Sequence, residues 1–329
     1  MPDTPRAGRN AEHFYGGQAV LEGVMMRGKD TWALAVRRPS QEIYIEHNPV
    51  KSLATKYPIF KKPGFRGIAG LGEAMSIGMR ALSTSANQAL EEEERLTAKQ
   101  MGFSMAFAFA VFTIIFILLP AIGTNWFHRK TSSPTIVRNL VEGGVRIGIF
   151  LGYLIAISFL KDIRRVFMYH GAEHKTIAAY EAGEPVLEPQ AVDKYSTIHV
   201  RCGTNFLIMV MLLTIVVFTA LDIALGKPSL GWRLLERVLA IPLIAGISYE
   251  GLRLGARYGD NIIVRGLMKP GLWLQKITTR PPTDDQIEVA IRAFEAVLPD
   301  EERSMVAPLP SPIIDRESEE PPPPATELT

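Results

Sequence analysis

"MGFSMAFAFAVFTIIFILLPAIG", residues 101–123, contains no charged side chain. About 20 apolar residues in a helix cross the hydrocarbon core of a bilayer, so the stretch reads as a transmembrane helix. In lipid a helix satisfies its own backbone N–H and C=O groups, which an isolated strand does not. This reading decides the fold class, because such a span needs neighbours to pack on. "GTNFLIMVMLLTIVVFTALDIAL" (203–225) is a second strong span. "EGGVRIGIFLGYLIAISFL" (142–160) and "RVLAIPLIAGISYEGLRLG" (237–255) are weaker, since they carry Glu142, Arg146 and Glu250. Glu142 and Arg146 stand one turn apart and are able to pair. Gly144, Gly148 and Gly152 form a stripe suited to close helix packing. The expected fold is mainly α: a polytopic membrane protein of about four transmembrane helices, with a small N-terminal β-hairpin and α region.

Working outward, Trp32/Leu34/Val36 and Ile43/Ile45 alternate on either side of the turn-like "RRPSQE", a hairpin signal. Residues 66–90 repeat Ile68, Leu71, Met75, Met79 and Leu82 at helical spacing, an amphipathic helix suited to a membrane surface or to neighbouring helices. Thr283 or Asp284 caps a later helix with Ile287, Ala290, Ile291, Phe294 and Val297/Leu298 on one face. The expected organisation is a disordered start (1–13) and a cytoplasmic hairpin and amphipathic-helix region (14–100). A membrane domain (101–257) with a cytoplasmic loop at 161–202 follows, then an interfacial and helical region (258–298). A disordered, acidic, proline-rich tail (299–329) ends the chain.

The 329 residues have a mean hydropathy of +0.11 and a net charge of only +2, which excludes a nucleic-acid partner as the expectation. A single cysteine, Cys202, excludes an internal disulfide. Residues 1–30 hold no apolar core of signal-peptide length. Lys161, Arg164, Arg165, Lys175, Lys194 and Arg201 make the 161–202 segment more basic than the other two connections. The positive-inside rule then places it and both termini in the cytoplasm, with the bilayer as first partner.

That segment contains "YHGAEHKTIAAYE", residues 169–181. His170 and His174 lie one helical turn apart on one face, with Glu173 between them. Two imidazoles at this spacing bind one divalent metal, zinc being the expected ion, and the adjacent carboxylate accepts a proton from activated water. His170-Gly-Ala-Glu173-His174 spells the inverted zincin order. The topology would bring His199 and Cys202, before one span, and Glu250, near the end of another, to the same membrane face. Two donor sets stay open: His170, His174, His199 and Cys202, a closed structural site, or His170, His174 and Glu250, an open catalytic one. Glu181 lies about 10 Å along the helix from His174 and reads as a solvated carboxylate. "GGQAVLEGVMMRG" (16–28) offers Gln18 and Glu22 as groups supporting the site or touching substrate; a glycine-rich β-arc with one buried ion pair weighs more.

Together "GGQAVLEGVMMRG", "HGAEHKTIAAYE", "HVRCGTNF", "GISYEGLRL" and "PGLWLQKITTRPPTDDQIEVAI" resemble the DUF1385 family over about residues 14–298. Val200 stands where members have proline in the HPRCG motif, which leaves His199 and Cys202 intact. The resemblance implies a bacterial integral protein of the inner (plasma) membrane and a metal-dependent enzyme. The expected function is hydrolysis at the cytoplasmic membrane face, of a membrane peptide in the manner of a metallopeptidase or of a lipid-linked molecule. The alternative is an assembly or regulatory factor with a structural metal. Self-association is compatible with either.

Overall fold

The computed structural model describes residues 15–91, 94–131, 134–199, 202–226, 230–258 and 261–315. The disordered start expected at 1–13 lies outside the described residues, as does the end of the expected tail, 316–329. Four strands open the fold: β1 (Gly16–Val20), β2 (Gly23–Arg27), β3 (Thr31–Arg37) and β4 (Ile43–Pro49). They pair antiparallel in chain order, with Leu34 opposite Glu46 in the expected hairpin. The β1–β2 turn is two residues long, and Glu22 takes a φ of +51° in it, as tight hairpin turns require.

After β4 come a short turn of helix α1 (Leu53–Lys56), the long α2 (Phe65–Gln88), α3 (Ala98–Thr113), α4 (Leu119–Thr131), α5 (Thr135–Ile157) and α6 (Lys161–Ala182). The remainder is α7 (Pro189–Val192), α8 (Gly203–Leu225), α9 (Leu230–Arg257), α10 (Ile262–Thr278), α11 (Asp284–Glu295) and strand β5 (Ile313–Asp315). β5 adds to β4 in parallel, Ile43 opposite Ile313. This corrects the disordered tail expected from residue 299: a 3-10 turn at Asp300–Met305 and β5 return to the sheet. The tether is Glu288, which accepts from Ser311 N–H (2.8 Å) and Ser311 Oγ (2.9 Å) while pairing with the buried Arg37 (3.0 Å). Composition does not reveal such a three-part link.

Both faces of the sheet are covered, which explains the near-continuous apolar runs of β2 and β3. Val20, Met25, Trp32, Leu34 and Val36 pack with Ala81 of α2 on one face. Val24, Met26, Ala33, Ala35, Ile43 and Ile45 meet α6 and α11 on the other. The period of two sorts one apolar run into two cores. In α11, Gln286 accepts from the Thr283 N–H at 3.1 Å, and Ile287, Ala290, Ile291 and Phe294 are buried as the spacing implies.

Among the described residues, four helical stretches are long and apolar enough to cross a membrane: Ala98–Thr124, Thr135–Ile157, Gly203–Leu225 and Leu234–Gly255. The first starts with a reciprocal cap, Thr97 N–H on Gln100 Oε1 at 2.9 Å and Gln100 N–H on Thr97 Oγ1 at 3.3 Å. It passes through a π-helical turn, Ile114–Leu118, just before Pro120. Proline has no N–H for the Phe116 carbonyl one turn back, and Arg146 Nε donates to that carbonyl at 3.1 Å. The stripe of Gly144, Gly148 and Gly152 has open space beside it. The close approach is at Gly143, where a Cβ would fall 2.3 Å from Ile215 Cγ1.

A polar network is buried between the spans. Glu142 accepts from Arg146 (3.0 Å), from Thr124 (3.2 Å) and from both terminal nitrogens of Arg237. Asp222 accepts from Arg138 (2.6 Å) and Asn139 (2.8 Å). Phe218 lies against the guanidinium groups of Arg146 and Arg237. In hydrocarbon an unpaired charge is costly, so each of the three guanidinium groups sits on a carboxylate, Arg146 and Arg237 sharing Glu142 and Arg138 taking Asp222. Removing one member of a buried pair costs about 3–5 kcal/mol. Glu142→Ala, which strips two arginines of their carboxylate, is expected to lower stability by about that amount, read by denaturant unfolding in detergent. A loss below about 1 kcal/mol would show that the network does not hold the helices together.

Candidate metal centre

α6 leaves the membrane bundle and enters the three-layer domain. Tyr169 and every residue from Gly171 to Tyr180 are buried, packed on the sheet beside α11. A helix buried on all sides must settle its polar side chains locally. His170 Nδ1 donates to the Thr278 carbonyl (2.8 Å) and His174 Nδ1 to the Thr197 carbonyl (2.6 Å). Those two bonds aim both Nε2 atoms away from the backbone and fix the tautomer.

His170 Nε2 lies 3.2 Å from Cys202 Sγ, and the rings of His170 and His174 are 4.4 Å apart at their centroids. One donor atom from each of His170, His174 and Cys202 falls within 4.8 Å of the others. Two imidazole nitrogens and a thiol are a set that binds zinc. His174 Nε2 is buried with no hydrogen-bond partner, and so is Glu173 Oε2. An orphaned imidazole lone pair facing a histidine and a thiol is what a cation would satisfy, so these residues fit a divalent metal. Orienting each histidine through a backbone carbonyl is the usual arrangement behind a metal ligand.

Glu173 packs against the sheet. A Cβ on Gly17 would fall 2.9 Å from the Glu173 carboxyl, so only glycine lets β1 approach this closely. Burial pushes the Glu173 carboxyl up to about 8; His170 and the Gly17 N–H pull it down, and Cys202 raises it. Burial and the neighbouring His170 and His199 hold His174 well below the usual imidazole range, so it stays neutral. Burial alone lowers His199 to about 4. Burial raises the Cys202 thiol, against which Thr204 works from its hydroxyl and N–H. Cys202 is also the N-cap of α8, so the third span begins at the cluster.

Other expected participants lie elsewhere. Glu250 is occupied by Arg66, which grips both its oxygens, and by the Gly64 N–H at 3.3 Å. It faces α2 and lies outside the His/His/Cys group, which corrects the open donor set. His199 lies close, its ring 5.7 Å from that of His174, but its Nε2 is 3.3 Å from Glu181. Glu181, read as solvated, is therefore the partner of His199. Gln18 points to the opposite face of the sheet from Gly17 and meets Gly78 of α2, as strand alternation requires. Glu22 binds Arg165 and Tyr169 Oη, a half-exposed ion pair at the entry to α6.

The supports of the site carry no sequence motif. Gln275 holds the His199 backbone from both sides, accepting from its N–H and donating to its C=O, each at 2.8 Å. Residues 278–280 strap across α6, where Arg280 N–H donates to the Phe167 carbonyl (2.9 Å) and a Cβ on Gly171 would collide with the Arg280 carbonyl at 2.1 Å. The glycine between the two histidines was the legible signal for that crossing.

Sheet domain, four candidate spans and a buried His/His/Cys cluster at one end of the bundle together define a membrane protein. The chain belongs to the DUF1385 family, described as "Protein of unknown function (DUF1385)", which matches residues 62–300. It is 35% identical over 306 residues to the "Uncharacterized protein YqhQ" of Bacillus subtilis (strain 168), across 86% of this chain and 92% of that one. No solved structure matches.

In Gly17→Ala the added methyl would meet the Met25 carbonyl at 2.6 Å and the Glu173 carboxyl at 2.9 Å, and this overpacking is expected to cost about 1–3 kcal/mol. Gly16→Ala, with nothing within 4 Å of its added Cβ, is the control and is expected to stay within about 0.5 kcal/mol of wild type. Denaturant unfolding of both variants checks the pair, and equal stabilities would contradict the close approach at Gly17.

Proposed function

We propose that this protein is a membrane-embedded, metal-dependent hydrolase whose site opens on the cytoplasmic face of the bacterial plasma membrane. The observation that carries the reading is the orphaned His174 Nε2, aimed at the His170/Cys202 pair beside a buried, partnerless Glu173 oxygen. His170, His174 and Cys202 would hold the ion, with zinc favoured by the mixed nitrogen and sulfur donors. When bound, such an ion supplies Lewis-acid activation of water.

The chain's own residues do the rest. Thr278 and Thr197 orient the imidazoles through their carbonyls. Glu173, with its affinity for protons shifted up to about 8, holds or yields a proton at Oε2 near neutral pH, where general acid–base catalysis is most effective. Burial of the site keeps bulk water from competing with that transfer. The membrane spans that end beside the site favour a membrane peptide or a lipid-linked substrate over a freely soluble one. The orientation rests on the basic residues of α6 and its flanks.

A structural metal is the second reading, favoured by the thiol donor and by the near-complete burial of His174 and Glu173. Elemental mass spectrometry of the purified protein tests the site. About one zinc per chain is expected in wild type and in Glu250→Gln, with loss in His170→Ala, His174→Ala and Cys202→Ser. Glu173→Gln then separates the readings. Retained zinc with hydrolysis of peptide or lipid-linked substrates lowered about 10²–10⁴-fold supports catalysis. Retained zinc with unaltered cellular function assigns the cluster to structure.

A further inference from the structure

"KSLATKYPIFKKPGFR", residues 51–66, carries Lys51, Lys56, Lys61, Lys62 and Arg66 and no carboxylate. It links the sheet to α2, and neither the metal centre nor the sheet uses it. The four lysines are exposed. Between them Tyr57, Ile59 and Phe65 are also exposed, at 48%, 49% and 47%. Cations interleaved with exposed apolar side chains are costly in water and suited to the head-group layer of a membrane, where rings and lysine stems meet acyl chains while ammonium groups stay at the phosphates.

The position of the segment supports the same partner. Gly64 N–H and Arg66 bind Glu250, and a Cβ on Gly67 would fall 2.9 Å from Tyr249 and 3.0 Å from Gly246. These partners belong to the span Leu234–Gly255. At 1.5 Å per residue, Glu250 lies ~8 Å and Gly246 ~14 Å inside its Gly255 end. The bundle therefore pins Gly64 and Gly67 to the half of this 22-residue span nearest Gly255, and the long stems of the lysines that precede them can carry their ammonium groups out to the phosphates of that face. Alternation of the spans puts the Gly255 end on the same side as Ile157 and Gly203, which flank α6 and Cys202.

We propose that residues 51–66 form a basic, aromatic wedge that binds anionic phospholipid head groups on the membrane face carrying the His/His/Cys cluster. Arg66 is committed to Glu250 and anchors the wedge, while Lys56, Lys61 and Lys62 contact lipid phosphate. Charge selects anionic over zwitterionic lipid, and Tyr57, Ile59 and Phe65 fix the depth. The proposal does not depend on the metal.

Native mass spectrometry of the detergent-solubilised full chain tests it, with phosphatidylglycerol or phosphatidylcholine titrated in. Wild type is expected to retain phosphatidylglycerol preferentially. The combined variant Lys56→Gln, Lys61→Gln, Lys62→Gln is expected to lose roughly fivefold of that preference per lysine removed. Lys56→Arg, Lys61→Arg, Lys62→Arg is expected to keep it. All three sites are exposed, and an unchanged melting temperature shows that the fold survives. Equal retention of the two lipids by wild type, or equal preference in wild type and the glutamine variant, overturns the proposal. So does a change of oligomeric state in the glutamine variant with lipid retention unaltered, which makes the surface a contact between copies.

Discussion

The burial of α6 is the constraint on which the rest depends. Tyr169 and residues 171–180 are enclosed by the sheet, α11 and the 278–280 strap. A helix in that position has no water to satisfy its polar side chains, so each must find a partner within the protein. Lys175 reaches Asp193, and Thr176 bonds back to the Ala172 carbonyl. His170 and His174 each spend one nitrogen on a carbonyl outside the helix. What is left over, His174 Nε2 and Glu173 Oε2, marks the candidate site. The glycines at 17 and 171 are the geometric condition for this, since each admits a neighbouring element where a methyl group would collide.

The membrane bundle meets the same requirement by another route. It contains Arg138, Glu142, Arg146, Asp222 and Arg237, and settles them by mutual pairing, by hydrogen bonds and by the face of Phe218. The proline inside the first span also belongs here, because Arg146 takes up the carbonyl Pro120 leaves free. The network and the His/His/Cys cluster lie at opposite ends of the third span. Cys202 caps the start of α8 and Asp222 sits ~30 Å further along it. One helix thus carries a member of each, the thiol at its start and the carboxylate near its end.

The spans, the hairpin and the apolar face of α11 were legible in the residues because each rests on local periodicity. A 23-residue uncharged run, a period of two and a capped period of 3.6 have few competing solutions. His170, His174 and Glu173 were legible for the same reason, being one turn of one helix. Cys202 joined them because topology places the ends of the second and third spans on one side of the membrane. Glu250 satisfied that topological argument equally well and was still misplaced. Membrane level is one coordinate, and the direction a side chain takes around its helix is another. That direction was decided by Arg66, 184 residues away in sequence.

By itself, then, the sequence determined the membrane class, the number of candidate spans, the hairpin and the pair of histidines on one face. Only the tertiary structure decided which donors meet. Contacts such as Gly17 with Glu173, Thr278 with His170, Gln275 with His199 and Arg66 with Glu250 join elements far apart in the chain. The return of residues 313–315 to the sheet is of the same kind. Composition marked that end as disordered, but the strand pairs with β4 because Glu288 and Arg37 hold Ser311 beside it. The physical reason is common to all of them. Local pattern sets which element forms and which face is apolar, whereas the partner of a polar group is set by which elements burial forces together.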